Sequence, residues 1–92
     1  MNIIELSGEE FKTKTDFHRI LKKRLDLPDY YGSNLDALWD CITTDVKLPI
    51  KIIWNDFNKS KENLGDYSYS AVKLFRAASS YHKGQFTFIV NE

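Results

Sequence analysis

The run Pro49-Ile50-Lys51-Ile52-Ile53-Trp54 is the strongest strand signal in the chain. A proline opens it, three isoleucines and a tryptophan follow, and one lysine is the sole charge. β-Branched and aromatic side chains fit a pleated, packed surface, and a near-continuous apolar run marks a strand covered by neighbours. The stretch reads as an interior strand.

Upstream, Asn2 to Leu6 is a short first strand, closed by Ser7-Gly8. Thr13 then stands as an N-cap with Asp16 three residues on, the spacing of a capping box in its Asp form. Phe17, Ile20, Leu21 and Leu25 follow on one helical face. Lys22-Lys23-Arg24 sits where a helix C-terminus favours cations, and Pro28 stops the helix. Asp29-Tyr30-Tyr31-Gly32-Ser33 reads as a turn-like connection. A second helix covers about Asn34 to Thr43, capped by Asn34 or Ser33, with Leu35, Leu38, Trp39 and Ile42 toward the core.

Downstream, a short helical piece is predicted near Asp56 to Lys61, then a polar loop through Asn63-Leu64-Gly65-Asp66. A longer helix covers about Ser68 to Tyr81, with Ala71, Leu74, Phe75, Ala78 and Tyr81 on one face, and Phe86 to Val90 forms a last strand. Strands separated by helical crossovers pair in parallel. The prediction is an α/β fold, a three-stranded parallel sheet with helices packed against it. At 92 residues it should form one domain over 1–92.

Composition removes several function classes. Lys and Arg number 13, as do Asp and Glu, so the formal net charge is zero, which argues against a dedicated nucleic-acid binder. The lone Cys41 excludes an internal disulfide and a Cys-cluster zinc site, and fits a reducing compartment. No apolar run approaches the roughly 18 residues of a membrane span. Met1-Asn2-Ile3-Ile4-Glu5 lacks the basic and apolar regions of a secretory signal, so the expected compartment is the cytoplasm.

The zero total hides an uneven layout. Leu25 to Val46 contains no Lys or Arg but holds Asp26, Asp29, Asp36, Asp40 and Asp45, a charge of −5 against +5 for the rest of the chain. Such a segment builds a local potential that attracts a basic partner. The alternative is a solvated acidic face with no partner.

Asp36 and Asp40 are the informative pair. Four residues apart on a helix, they lie about 40° from each other, so both carboxylates leave one face. Thr43 falls on the same stripe, and Trp39 lies at its boundary with the core face. Like charges at this spacing cost an isolated helix a few tenths of a kcal/mol, and Asp40 with Asp45 opposes the dipole at the helix C-terminus. Folding stability did not require this arrangement, so it reads as a binding device. Tyr30 and Trp39 are expected as contacts beside it and Tyr31 as packing.

Catalysis is a poorer fit. Two exposed carboxylates lack the apolar wall that separates an acid from a base. His18 and His82 have no recognisable sequence relation to Cys41 or to a serine motif, and read as surface or internally satisfied histidines. Cys41 falls on the inner side of its helix as a small core residue. No P-loop, GxGxxG, HExxH or EF-hand spacing occurs, and a divalent cation among Asp36, Asp40 and Asp45 would be weakly held. No cofactor or metal is expected.

The run Leu27-Pro28-Asp29-Tyr30-Tyr31-Gly32-Ser33-Asn34-Leu35-Asp36-Ala37-Leu38-Trp39-Asp40-Cys41 resembles the barstar family, intracellular inhibitors of barnase-type ribonucleases. The likeness extends over nearly the whole chain, through Asp16 to Leu25, the proline-led strand ending in Trp54, Ser70 to Arg76 and Thr87 to Val90. It implies a barstar-like fold, an inhibitor and not an enzyme, a monomer when free, and mimicry of RNA phosphates. Asp40 would take the place of a phosphate among the basic side chains of the nuclease cleft and Asp36 would pair with further Arg groups. Tyr30, Asn34, Trp39 and Thr43 would supply surrounding contacts.

Three departures stand out. The family's late-helix Glu is Ala77 beside Arg76, its Gly-Trp after the acidic helix is Thr44-Asp45, and its second Cys has no counterpart. Loss of the Glu leaves affinity for barnase itself open, and Asp45 adds negative charge at a new place. The alternative function is an acidic interaction module for a basic partner that is not a nuclease.

Overall fold

The computed structural model describes residues 2–92. In chain order the elements are β1 Asn2–Ser7, α1 Lys14–Arg24, α2 Leu35–Thr44, β2 Ile50–Asn55, α3 Phe57–Leu64, α4 Asp66–Tyr81 and β3 Phe86–Val90. The isoleucine run is the central strand: the sheet order is β1-β2-β3 and both pairings are parallel. The register sets Ile4, Ile52 and Phe88 side by side, and likewise Leu6, Trp54 and Val90. This is the expected α/β architecture. β2 differs from a strand buried on both faces, since Ile50, Ile52 and Trp54 are buried while Lys51, Ile53 and Asn55 are half-covered.

Trp54 is the centre of the core and has no exposed surface. Its ring stacks on Phe17 at 5.4 Å and takes edge contacts from Phe11, Phe57 and Phe75. Its indole N–H donates to the buried Ser60 hydroxyl at 2.9 Å, which removes the cost of a buried unpaired donor. Gly8 follows β1 where α3 comes closest: a Cβ there would stand 2.1 Å from the Asp56 carbonyl oxygen and 2.6 Å from Ser60 Oγ.

Local signals account for most boundaries. Asp16 N–H donates to Thr13 Oγ1 at 3.1 Å, and the Asp16 carboxylate accepts from Lys12 N–H at 3.2 Å, one residue ahead of the usual reciprocal bond. Arg24 pairs with Glu10 and donates to the Glu5 carbonyl, tying the end of α1 to β1.

Three expectations change. The polar loop over 63–66 shrinks to Gly65, whose positive φ of 59° lets α3 end and α4 begin within one residue. The buried face of α1 turns to include His18, which is 1% exposed, and leaves Ile20 half-covered. Tyr81 lies on the apolar stripe of α4 by spacing, yet it is 61% exposed because the helix ends there, beyond the core.

Candidate partner-binding site

The segment before α2 is built to launch that helix. Tyr31 N–H donates to the Pro28 carbonyl, Ser33 adopts the left-handed region at φ 56°, and Asn34 follows as an extended N-cap. Asn34 Oδ1 accepts from Ala37 N–H at 2.8 Å, satisfying one of the helix's free donors. Leu38, Cys41 and Ile42 then point into the core, and Asp36 and Asp40 are exposed on the opposite side.

Among the described residues these two carboxylates have no partner. Among the described residues the ion pairs are Arg19–Asp16, Arg24–Glu10, Lys59–Glu62 and Lys61–Glu92, so none of the five Asp between Leu25 and Val46 is neutralised by a neighbouring cation. The side chains of Asp36 and Asp40 accept no hydrogen bond from the described residues either. α2 also lacks a basic residue in its last turn, where one would suit the dipole. The helix keeps an unscreened negative stripe.

Aromatic groups flank the stripe on both sides. On one side Tyr30, 76% exposed, donates its hydroxyl to Asp45 Oδ2 at 3.2 Å, while the Thr44 hydroxyl donates to the Asp40 carbonyl at 2.6 Å and lies 3.2 Å from the same Asp45 oxygen. Accepting that bond, the Asp45 carboxylate holds the Tyr30 phenol above its ordinary pKa. Tyr30, Asp40, Thr44 and Asp45 share the rim of an open depression of about 390 Å³. On the other side Trp39 is half-buried, its ring edge-on to Tyr81 at 5.7 Å. Thr43, half-buried as well, turns its hydroxyl back to the Trp39 and Asp40 carbonyls at 2.9 and 3.1 Å.

The expected residues Tyr30, Asn34, Asp36, Trp39, Asp40 and Thr43 therefore lie together on α2 and the loop before it. Thr43 is half-buried and its proton is engaged by the helix backbone. Asp45 joins them through Tyr30, a link the sequence did not show.

A support behind the site was also missed. His18 lies inside the protein with Nδ1 hydrogen-bonded to Tyr31 and Nε2 to the Tyr67 hydroxyl at 2.6 Å. A neutral imidazole can donate to one and accept from the other. Burial lowers its pKa to about 4 and raises those of both tyrosines, so the ring is neutral near pH 7. The ring ties α1, the loop before α2 and the start of α4 together. Its spacing of three and seven residues from Leu21 and Leu25 was the available signal, since it sets His18 on the apolar face of α1, where a buried polar group needs internal partners.

Cys41 is buried, and burial pushes its thiol up, the environment of a packing cysteine and not of a nucleophile. Among the described residues no cluster of three or more His, Cys, Asp or Glu side chains could hold a metal ion, and no helix is long and apolar enough to cross a membrane.

A family model described as Barstar (barnase inhibitor) matches residues 1–91. The chain belongs to the barstar family. It is also 39% identical over 90 residues to a protein of Bacillus subtilis (strain 168) named "Putative ribonuclease inhibitor YrdF", an alignment covering 98% of this chain and 99% of that relative. The three-stranded parallel sheet with four helices is consistent with a barstar-like fold. Barstar-family membership supports an inhibitor's role over an enzyme's, with a ribonuclease as the protein partner.

Proposed function

We propose that this protein inhibits a basic ribonuclease of the barnase type by laying the carboxylate stripe of α2 in the cleft that binds RNA. Asp40 stands in for a phosphate among cationic side chains, and Asp36, about 5–6 Å away along the helix, pairs with a second set. Tyr30 and Trp39 supply rigid aromatic contact area beside the charges. Asn34 presents its amide while capping the helix, and Thr43 offers a hydroxyl oxygen at the far end. On this reading the free chain is a cytoplasmic monomer formed by a single domain over 1–92.

One observation carries the proposal: Asp36 and Asp40 leave one exposed face, and among the described residues no cation or hydrogen-bond donor pairs with either side chain. Carboxylates arranged only for solubility gain nothing from standing four residues apart, whereas a cationic cleft gains from both.

The test is a titration of barnase activity on RNA with rising protein. Loss of activity at one equivalent, and a much weaker effect of the Asp40→Ala variant, is the expected result. No inhibition of barnase or related nucleases, together with capture of a basic protein of another kind, would favour the alternative interaction module.

A further inference from the structure

The two edges of the sheet are finished differently. At β1 the Arg24 guanidinium donates to the Glu5 carbonyl and Ser7 N–H donates to the Glu10 carboxylate, so side chains hold outward backbone groups there. At β3 the Gln85 carbonyl accepts from Ile50 N–H and Asn91 N–H donates to the Trp54 carbonyl, so the odd-numbered residues face β2. Strand alternation turns the N–H and C=O groups of Phe88 and Val90 the other way, to the open edge. Phe86–Val90 has no charge, no proline and no break in register, the features that usually protect an edge strand.

A cleft lies beside that edge. It is open, with a volume of about 260 Å³, and is lined by Phe57 of α3, by Tyr69, Val72 and Arg76 of α4, and by Val90 and Glu92. Val90 is on the helix side of β3, in line with Phe86 and Phe88, whose rings stack on Phe75 of α4. The two charges in the cleft differ in state. Glu92 accepts from Lys61 at 3.5 Å, whereas among the described residues Arg76 has no ion-pair partner. An occupant therefore meets apolar walls and one uncompensated cation.

Spacing makes the match specific. Val72 and Arg76 are about one turn apart, or about 6 Å along α4. Residues i and i+2 of an extended strand are about 7 Å apart and share a face. A strand added along β3 sets an apolar side chain against Val72 and Val90, and a carboxylate two positions away on Arg76.

We infer that the free edge of β3 and the cleft beside it bind an extended segment of another protein, carrying an apolar residue and an Asp or Glu two positions apart. Its backbone pairs with Phe88 and Val90, and the two side chains supply selectivity. This chain's own Val90-Asn91-Glu92 has the same spacing, but Val90 forms the wall of the cleft and Glu92 is drawn to Lys61, which leaves the place to a foreign segment. The inference does not rest on the proposed inhibition, since α2 meets α4 elsewhere, at the Trp39–Tyr81 and Ile42–His82 contacts.

The experiment selects short random peptides displayed on phage against the immobilised full chain, with the Val72→Asp chain as counter-selection. The peptide selected is then synthesised with blocked ends and titrated by amide NMR and calorimetry, and the free chain is sedimented to follow its oligomeric state. Expected are sequences with an apolar residue and an acid two positions apart, shifts at the Phe88 and Val90 amides, and a Kd raised at least about 10-fold by Arg76→Glu. N-methylation of the peptide amides that face β3 should abolish binding, while methylation of the alternate ones is tolerated. No enrichment over the counter-selected chain overturns the inference. So does a peptide whose binding is indifferent to Arg76→Glu or to the position of methylation. Self-association of the free chain that Arg76→Glu abolishes overturns it as well, by giving the edge to a second copy.

Discussion

His18 Nδ1 is hydrogen-bonded to the Tyr31 hydroxyl inside the protein, so helix α1 holds the loop from which the acidic helix starts. Burial keeps that ring neutral, with a pKa near 4 in place of 6.5. The fold therefore favours the neutral ring. The contribution is complete above pH about 6.5, and is lost as the pH falls toward about 4, at a cost on the order of 2–3 kcal/mol. Urea unfolding at pH 7 and pH 4.5 should show this decline, and His18→Gln, which still donates and accepts but does not titrate, should flatten it. An equal decline in the variant would place the acid sensitivity at a group other than His18; Glu10, whose carboxyl Arg24 holds below the usual range, loses its contribution only at lower pH than this comparison spans.

The acidic stripe should be neutral or costly to the free protein. Asp40→Asn removes a charge that repels Asp36 and opposes the helix dipole, so stability should stay unchanged or rise by up to about 0.5 kcal/mol. Chemical denaturation of the free chain measures it. A loss above about 1 kcal/mol would mean that Asp40 serves the fold.

Association should depend on salt. The five Asp of the acidic segment attract a basic cleft over a distance set by the ionic strength, with a Debye length of about 10 Å at 0.1 M. Stopped-flow association with barnase should slow steeply as salt rises, and the Asp36→Asn/Asp40→Asn double variant should show a flatter dependence. Identical slopes would remove the α2 carboxylates from the steering.

Gly8 should be intolerant for a reason of space. Its missing Cβ leaves room for the Asp56 carbonyl, which is backbone and cannot step aside. Gly8→Ala should cost about 1–3 kcal/mol in unfolding free energy, while the folded variant still inhibits at one equivalent, since Gly8 is remote from α2. A stable variant would show that α3 can shift away from the end of β1.

Much of this was legible in the sequence because it is local. The isoleucine run ending at Trp54 gave the central strand, Asn34 gave the start of α2, and the Asp36–Asp40 spacing gave the exposed stripe. What was not legible depends on residues distant in the chain. His18 reads as a helix-edge polar residue until Tyr31 and Tyr67 close around it. Tyr30 and Asp45 meet only because α2 folds between them. Tyr81 fits the apolar period of α4, and nothing local shows that the core ends one turn earlier. Gly65 reads as part of a loop because Asn63 and Asp66 flank it, although its positive φ alone makes the turn between two helices.

If α2 occupies the place of RNA, protein and RNA compete for one cleft. The apparent Kd of the complex with barnase, measured at rising concentrations of a short, non-cleavable RNA oligonucleotide, should climb in proportion to the oligonucleotide once the cleft is saturated, with no ternary complex. A Kd that stays constant while nuclease, RNA and this protein remain bound together would contradict it.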